Sequence, residues 1–152
     1  YTQDPIEIIN SAIFKEEYQQ MVLVKDIELF SMCEHHMMPF FGKYVFAYIP
    51  HPQGKILGLS KIGRVVDYHA AKLQVQERLV TDIVDDIATA LGTEHPPLGI
   101  ALIMQGEHLC KTMRGVKKPG LMSACRLEGV FRADNSARAE FLAAADKLLN
   151  RD

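Results

Sequence analysis

Cys33-Glu34-His35-His36 and, far downstream, His108-Leu109-Cys110 contain the residue types in this chain best suited to chemistry. Thiolates and an imidazole together suit a zinc ion. Cys33 and His36 are three apart, so a tight turn can aim both at one ion while His35 points elsewhere. On a strand, His108 and Cys110 share a face, which brings His108 beside whatever Cys110 holds. Cys33, His36 and Cys110 then supply three ligands, one short of a closed structural site, and leave a position for water. Zinc lowers the pKa of such a water to about 7, and histidine is the side chain suited to exchange protons with it. No C-x-x-C pair is present, which argues against a zinc ribbon or finger. The expectation is a hydrolytic zinc enzyme with a small anionic substrate.

Gly58-Leu59-Ser60-Lys61-Ile62-Gly63-Arg64 suggests where the anion goes. It puts a serine cap, a lysine and an arginine at a helix start, where free N–H groups and the helix dipole favour phosphate. On its own, this motif reads better as a solvated surface pair of Lys61 and Arg64. Arg114 adds to the case: if the strand through Cys110 continues, His108, Cys110, Thr112 and Arg114 alternate along one face. Arg114 then lies roughly 13 Å from Cys110, about the reach of a nucleoside triphosphate. Glu77, in Gln74-Val75-Gln76-Glu77-Arg78-Leu79, opens a long helix and could accept two hydrogen bonds from the N–H edge of a guanine. From the residues alone, the reading that prevails is a favourable acid in a first helical turn.

The elements that must position these groups read as follows. Asp4-Pro5 opens a short helix carrying Ile6, Ile9 and Ile13. Strands cover Met21–Met32 and Phe40–Ile49, with the Cys33–Pro39 connection between them and a turn at Pro52-Gln53-Gly54. Ser60 caps a helix with Ile62, Val65, Val66 and His69. A longer helix carries Leu79, Val80, Ile83, Val84, Ile87 and Leu91 and stops at Gly92. Strands follow at Leu98–Met113 and Leu121–Arg132. A last helix begins at Asn135 or Ser136 and buries Phe141, Leu142, Ala145, Leu148 and Leu149. This order predicts an α+β fold, an antiparallel sheet with helices on one face. Cys125 reads as a small core residue, and His51, His69 and His95 have no partner at useful spacing.

Composition narrows the class. The 152 residues suit one domain with its own core, and 48% are hydrophobic without any run long enough to span a bilayer. No signal-peptide pattern opens the chain, and three cysteines argue for a reducing, cytoplasmic setting rather than a disulfide framework. A net charge of −2 offers no case for nucleic acid or a membrane surface as partner.

The segments Ser31–Lys43, Ile56–Arg64, Leu73–Leu79, His108–Gly115, Gly129–Arg132 and Glu140–Leu142 resemble GTP cyclohydrolase I. The motifs C-E-H-H, G-L-S-K-x-x-R, Q-V-Q-E-R-L and H-x-C-x-x-x-R-G occur in that order, and the resemblance covers nearly the whole chain. It implies conversion of GTP and water to formate and 7,8-dihydroneopterin triphosphate, the entry to folate or tetrahydrobiopterin synthesis. Carried onto this sequence, Cys33, His36 and Cys110 bind Zn2+, and His35 and His108 act as acid–base groups. Ser60 sits near the ribose, Gln76 and Glu77 hold the guanine, and Lys61, Arg64 and Arg114 take the triphosphate. The chemistry implied is hydrolytic opening at C8 of the purine, release of formate, and a ribose rearrangement that closes the pterin ring. The family's architecture is the tunnelling fold, assembled as a ring-stacked homodecamer with active sites between subunits.

Residues 1–152 are thus expected to form a single catalytic domain. Two departures accompany the match: the sequence starts at what resembles the end of the family's N-terminal helical region, where a phosphate-binding arginine is expected, and Lys117–Ser123 is about three residues short of the usual segment. Three other readings compete. A nucleobase deaminase would release ammonia, but its H-x-E and P-C-x-x-C signatures are missing. A nitrile-reducing relative would use a nucleophilic cysteine and a nicotinamide. A non-catalytic module would hold zinc without turnover.

Overall fold

A computed structural model describes residues 13–15, 21–34, 36–113 and 120–150. In chain order these form β1 (Ile13–Lys15), β2 (Val22–Cys33), β3 (Pro39–Ile49), β4 (Lys55–Leu57), α1 (Leu59–Ala70), β5 (Leu73–Gln74) and α2 (Gln76–Leu91). There follow β6 (Gly99–His108), α3 (Leu109–Thr112), β7 (Leu121–Gly129), α4 (Val130–Ala133) and α5 (Asn135–Leu149).

Five strands make one sheet in the order β5-β2-β3-β6-β7, and β1 pairs with β4 apart from it. All pairings in the large sheet are antiparallel except the short β2–β5 contact. The centre of the sheet is buried on both sides, so β3 and β6 read as nearly continuous apolar runs. Tyr44, Phe46 and Tyr48 face one way with their cross-strand partners Met104, Leu102 and Ile100. On that side α1 contributes Ile62, Val65 and Val66, and α2 contributes Leu79, Ile83 and Ile87. Val45, Ala47 and Ala101 face the other way, and their small side chains leave room for Phe131, Phe141, Ala145 and Leu149 of α4 and α5. Helices therefore cover both faces, not one. The alternation of large and small residues along β3 and β6 carries that information, because a face bearing Ala47 opposite Ala101 needs bulky partners to reach packing density.

Several expected boundaries move. β6 ends at His108 and passes into the helical turn α3, where the sequence reading had one strand through Met113. Its neighbours run out: β7 begins at Leu121 opposite Glu107, and β3 begins at Pro39, which has no N–H to donate next to the Phe40–His108 pair. Likewise β7 stops at Gly129, before Arg132, because α4 takes over. α1 starts at Leu59 with Gly58 at the cap, and no side chain caps it, so Ser60 lies inside the first turn. α2 spans Gln76–Leu91 and ends at Gly92, whose φ of 99° is one that favours glycine. α5 is capped by the Asp134 carboxylate, which accepts from Ser136 N–H, and its Leu142 is exposed while Phe141 is buried. Ile13 belongs to β1 and not to a helix; the helix expected from Asp4 lies outside the described residues. Cys125 is exposed on β7, so it is not a core residue.

Candidate metal centre

Cys33 is the last residue of β2, 6% exposed, and opens a tight connection to β3. Its N–H donates to Met38 O (2.9 Å), and Met37 N–H donates back to Cys33 O (2.8 Å). Met37 sits at φ 55°, a left-handed conformation that costs an L-residue about 1 kcal/mol and makes the turn tight. β5 braces the turn from the side: Cys33 pairs with Gln74, and Glu34 N–H donates to Gln74 O (2.9 Å).

The first turn of α2 ties the same region from below. Arg78 donates both arms of its guanidinium to the Glu34 carboxylate at 2.5 and 2.8 Å. That hydrogen bond, and then the charge of Glu34, raise the Arg78 pKa further above its ordinary value. Gln76, 1% exposed, reaches into the sheet instead of outward. Its Nε2 donates to Met104 O and Met122 O, both at 2.9 Å, and its Oε1 lies 2.7 Å from His108 Nε2. His108, the last residue of β6, stacks on its cross-strand partner Phe40 with ring centroids 4.5 Å apart and planes 10° apart.

Cys33, His108 and Cys110 meet at this corner, each offering one donor atom within 4.8 Å of the others. A tetrahedral ion with metal–sulfur bonds of about 2.3 Å holds its sulfurs about 3.8 Å apart, so these donors stand within about 1 Å of a ligating arrangement. Two thiols with one imidazole form a donor set suited to a soft or borderline ion. The corner therefore fits a metal. Cys110 arrives there from a helical turn and not by strand alternation, so its closeness to His108 has a different origin from the one expected.

The imidazole in this group is that of His108. His36, expected as the ligand, is exposed on the turn. His35 and Arg114 lie outside the described residues. Glu77 is exposed next to buried Gln76, which leaves its carboxylate on the solvent side of the same helical turn. Ser60 and Arg64 are exposed and Lys61 half-buried at the N-terminal end of α1. The other end of α1 is the one near Cys33: Ser31 Oγ donates to Ala70 O at 2.8 Å. Ten residues at 1.5 Å each separate Ser60 from Ala70 by about 15 Å. In one chain Ser60 and Lys61 thus stand at the end of this helix away from Ser31, with Arg64 near its middle.

Two histidine contacts escaped the sequence reading. Buried His69 pairs through Nε2 with Asp86 of α2, with Lys72 Nζ 3.4 Å from its Nδ1, and His51 and His95 bring their rings to 5.0 Å. Asp86 is distant from His69 along the chain, as His95 is from His51, so spacing could not reveal these pairs. A cleft of about 400 Å3, lined by Phe30, Phe41, Lys43 and Leu121 among others, contains none of the expected site residues. No helix among the described residues is long and apolar enough to cross a membrane.

Comparison with known proteins agrees with this geometry. A family profile described as GTP cyclohydrolase I matches residues 1–146. The chain is 50% identical over 143 residues to GTP cyclohydrolase 1 of Chlorobium chlorochromatii, covering 93% of this chain and 61% of that one. It is 47% identical to the enzyme of the same name from Methylococcus capsulatus (93% and 74% covered). For that of Caldanaerobacter subterraneus the identity is 52% (86% and 68% covered). The chain thus spans about three-fifths of the length of the Chlorobium relative. Among solved structures, the apo archaeosine synthase QueF-Like superposes with a TM-score of 0.53 at 15% identity, covering 72% of this chain and 93% of that one. At that identity the likeness speaks for the fold alone, the tunnelling fold. A profile match over nearly all residues, relatives at half identity and a Cys-His-Cys corner built from C-E-H-H and H-x-C place this chain in the GTP cyclohydrolase I family.

Proposed function

We propose that this chain is the catalytic domain of a cytoplasmic GTP cyclohydrolase I, which converts GTP and water to 7,8-dihydroneopterin triphosphate and formate. The observation that carries the reading is the convergence of Cys33, His108 and Cys110 at one corner of the sheet. Cys33 and Cys110 supply thiolates to Zn2+, and His36, on the turn that begins at Cys33, is the third ligand. When bound, the ion would lower the pKa of its water to about 7 and so supply hydroxide at neutral pH. His108, beside both sulfurs, moves protons between that water and the purine, and His35 is its partner in this task.

Glu77 accepts the N–H edge of guanine; its exposed carboxylate, one residue from the side chain that touches His108, supports that role. Gln76 opens the same turn, with its amide turned inward to Met104, Met122 and His108. Ser60 lies at the ribose, and Lys61, Arg64 and Arg114 hold the triphosphate through charge-assisted hydrogen bonds. The separation of Ser60 and Lys61 from the Ala70 end of α1, which Ser31 ties down, supports a site completed across copies of the chain, as in a homodecamer. Residues 1–152 act as one domain, with neither nucleic acid nor membrane as a partner. Incubation of the zinc-loaded protein with GTP, followed by oxidation, is expected to yield a fluorescent pterin and one formate per turnover. Zinc-loaded protein that releases ammonia, or no product, would refute the assignment.

A further inference from the structure

The geometry points to Gln76 as the positioning residue that sets the tautomer and orientation of His108. Both hydrogens of the Gln76 amide are spent on Met104 O and Met122 O at 2.9 Å, two carbonyls that can only accept. Its Oε1 is therefore an acceptor, and the 2.7 Å contact obliges His108 to carry its proton on Nε2. In the neutral ring the lone pair then belongs to Nδ1. Phe40 fixes the plane of the ring by stacking, and Gln76 fixes its rotation within that plane. The space for this arrangement is provided by Gly106, where a Cβ would come within 3.0 Å of Gln76 Oε1. A residue that only filled the core at this place would not need an amide. Here the two carbonyls orient the amide, and the amide orients the imidazole, as in the outer-shell control of reactive histidines.

This inference rests on the proposed reaction for its kinetic consequence, but its structural content is separable. The test begins with zinc-loaded protein carrying 15N-labelled histidine at neutral pH, with His108 assigned by comparison with His108→Asn. The long-range 1H–15N pattern is expected to show a single Nε2–H tautomer. An Nδ1–H tautomer, or a ring averaging between the two, would overturn the proposal whether or not GTP is turned over. In Gln76→Leu, the pattern is expected to become mixed and kcat to fall about 10–100-fold with KM for GTP little changed. The opposite split, a raised KM and a weakened preference for GTP over ATP at normal kcat, would make Gln76 a reader of guanine and sink the positioning role. If Gln76→Leu does not fold, the wild-type tautomer decides.

Discussion

The cysteine corner and the cation end of α1 are built on opposite plans. Cys33 and Gln76 are buried, His108 is stacked and hydrogen-bonded, and Glu34 is clamped by Arg78, so the groups for chemistry are held by their own chain. Ser60 and Arg64 stand in solvent, on a helix start without a side-chain cap. The first plan gives preorganisation, which is what a reaction centre requires, because atoms misplaced by an ångström cost large factors in rate. The second gives reach and adaptability, which suit the proposed grip on a flexible polyphosphate. Exposed cations also act through a screened field and contribute less each.

The sharpest break in this contrast is Cys110→Ala, which is expected to empty the metal site and abolish formate release. Zinc retained at full occupancy, measured by elemental analysis, would contradict the ligand assignment. Next comes the division of labour between two imidazoles. His108→Ala should keep zinc yet lose about 10²–10⁴ in kcat, the usual worth of a general acid–base, whereas His36→Ala should lose the metal itself. The reverse pattern of zinc contents would make His108 the ligand, in line with the side chains grouped at the sulfurs. Glu77→Ala should lower the preference for GTP over ATP by about 10–100-fold, the loss of a charge-assisted hydrogen-bonded pair, and an unchanged preference would put base reading elsewhere. Smallest is the cation end: Lys61→Ala or Arg64→Ala should raise KM about tenfold at low salt with kcat retained, and the effect should shrink as ionic strength rises. A loss confined to kcat there would erase the distinction between the two regions.

Local patterns foretold much of the framework. The stripe from Leu79 to Leu91 with Gly92 behind it marks α2, and the turn residues around Gly54 mark the end of a hairpin arm. Both are set by nearest neighbours, through side-chain periodicity and backbone freedom. The end of β6 was not legible, because Leu109, Cys110 and Thr112 suit a strand as well as a turn. Its limit depends on where β3 and β7 stop pairing. The same is true of Gln76. Its position next to Glu77 suggested a pair of base readers, yet its amide points to Met104, Met122 and His108, residues distant in sequence.

Residue types and spacing alone thus determined the candidate donors, the family and the order of elements, since each depends on short stretches of chain. Which imidazole stands at the sulfurs, which side of α2 holds the amide and how far the cations lie from the cysteines were decided only by folding. Those are distances between segments, and they follow from strand register and packing rather than from any local preference.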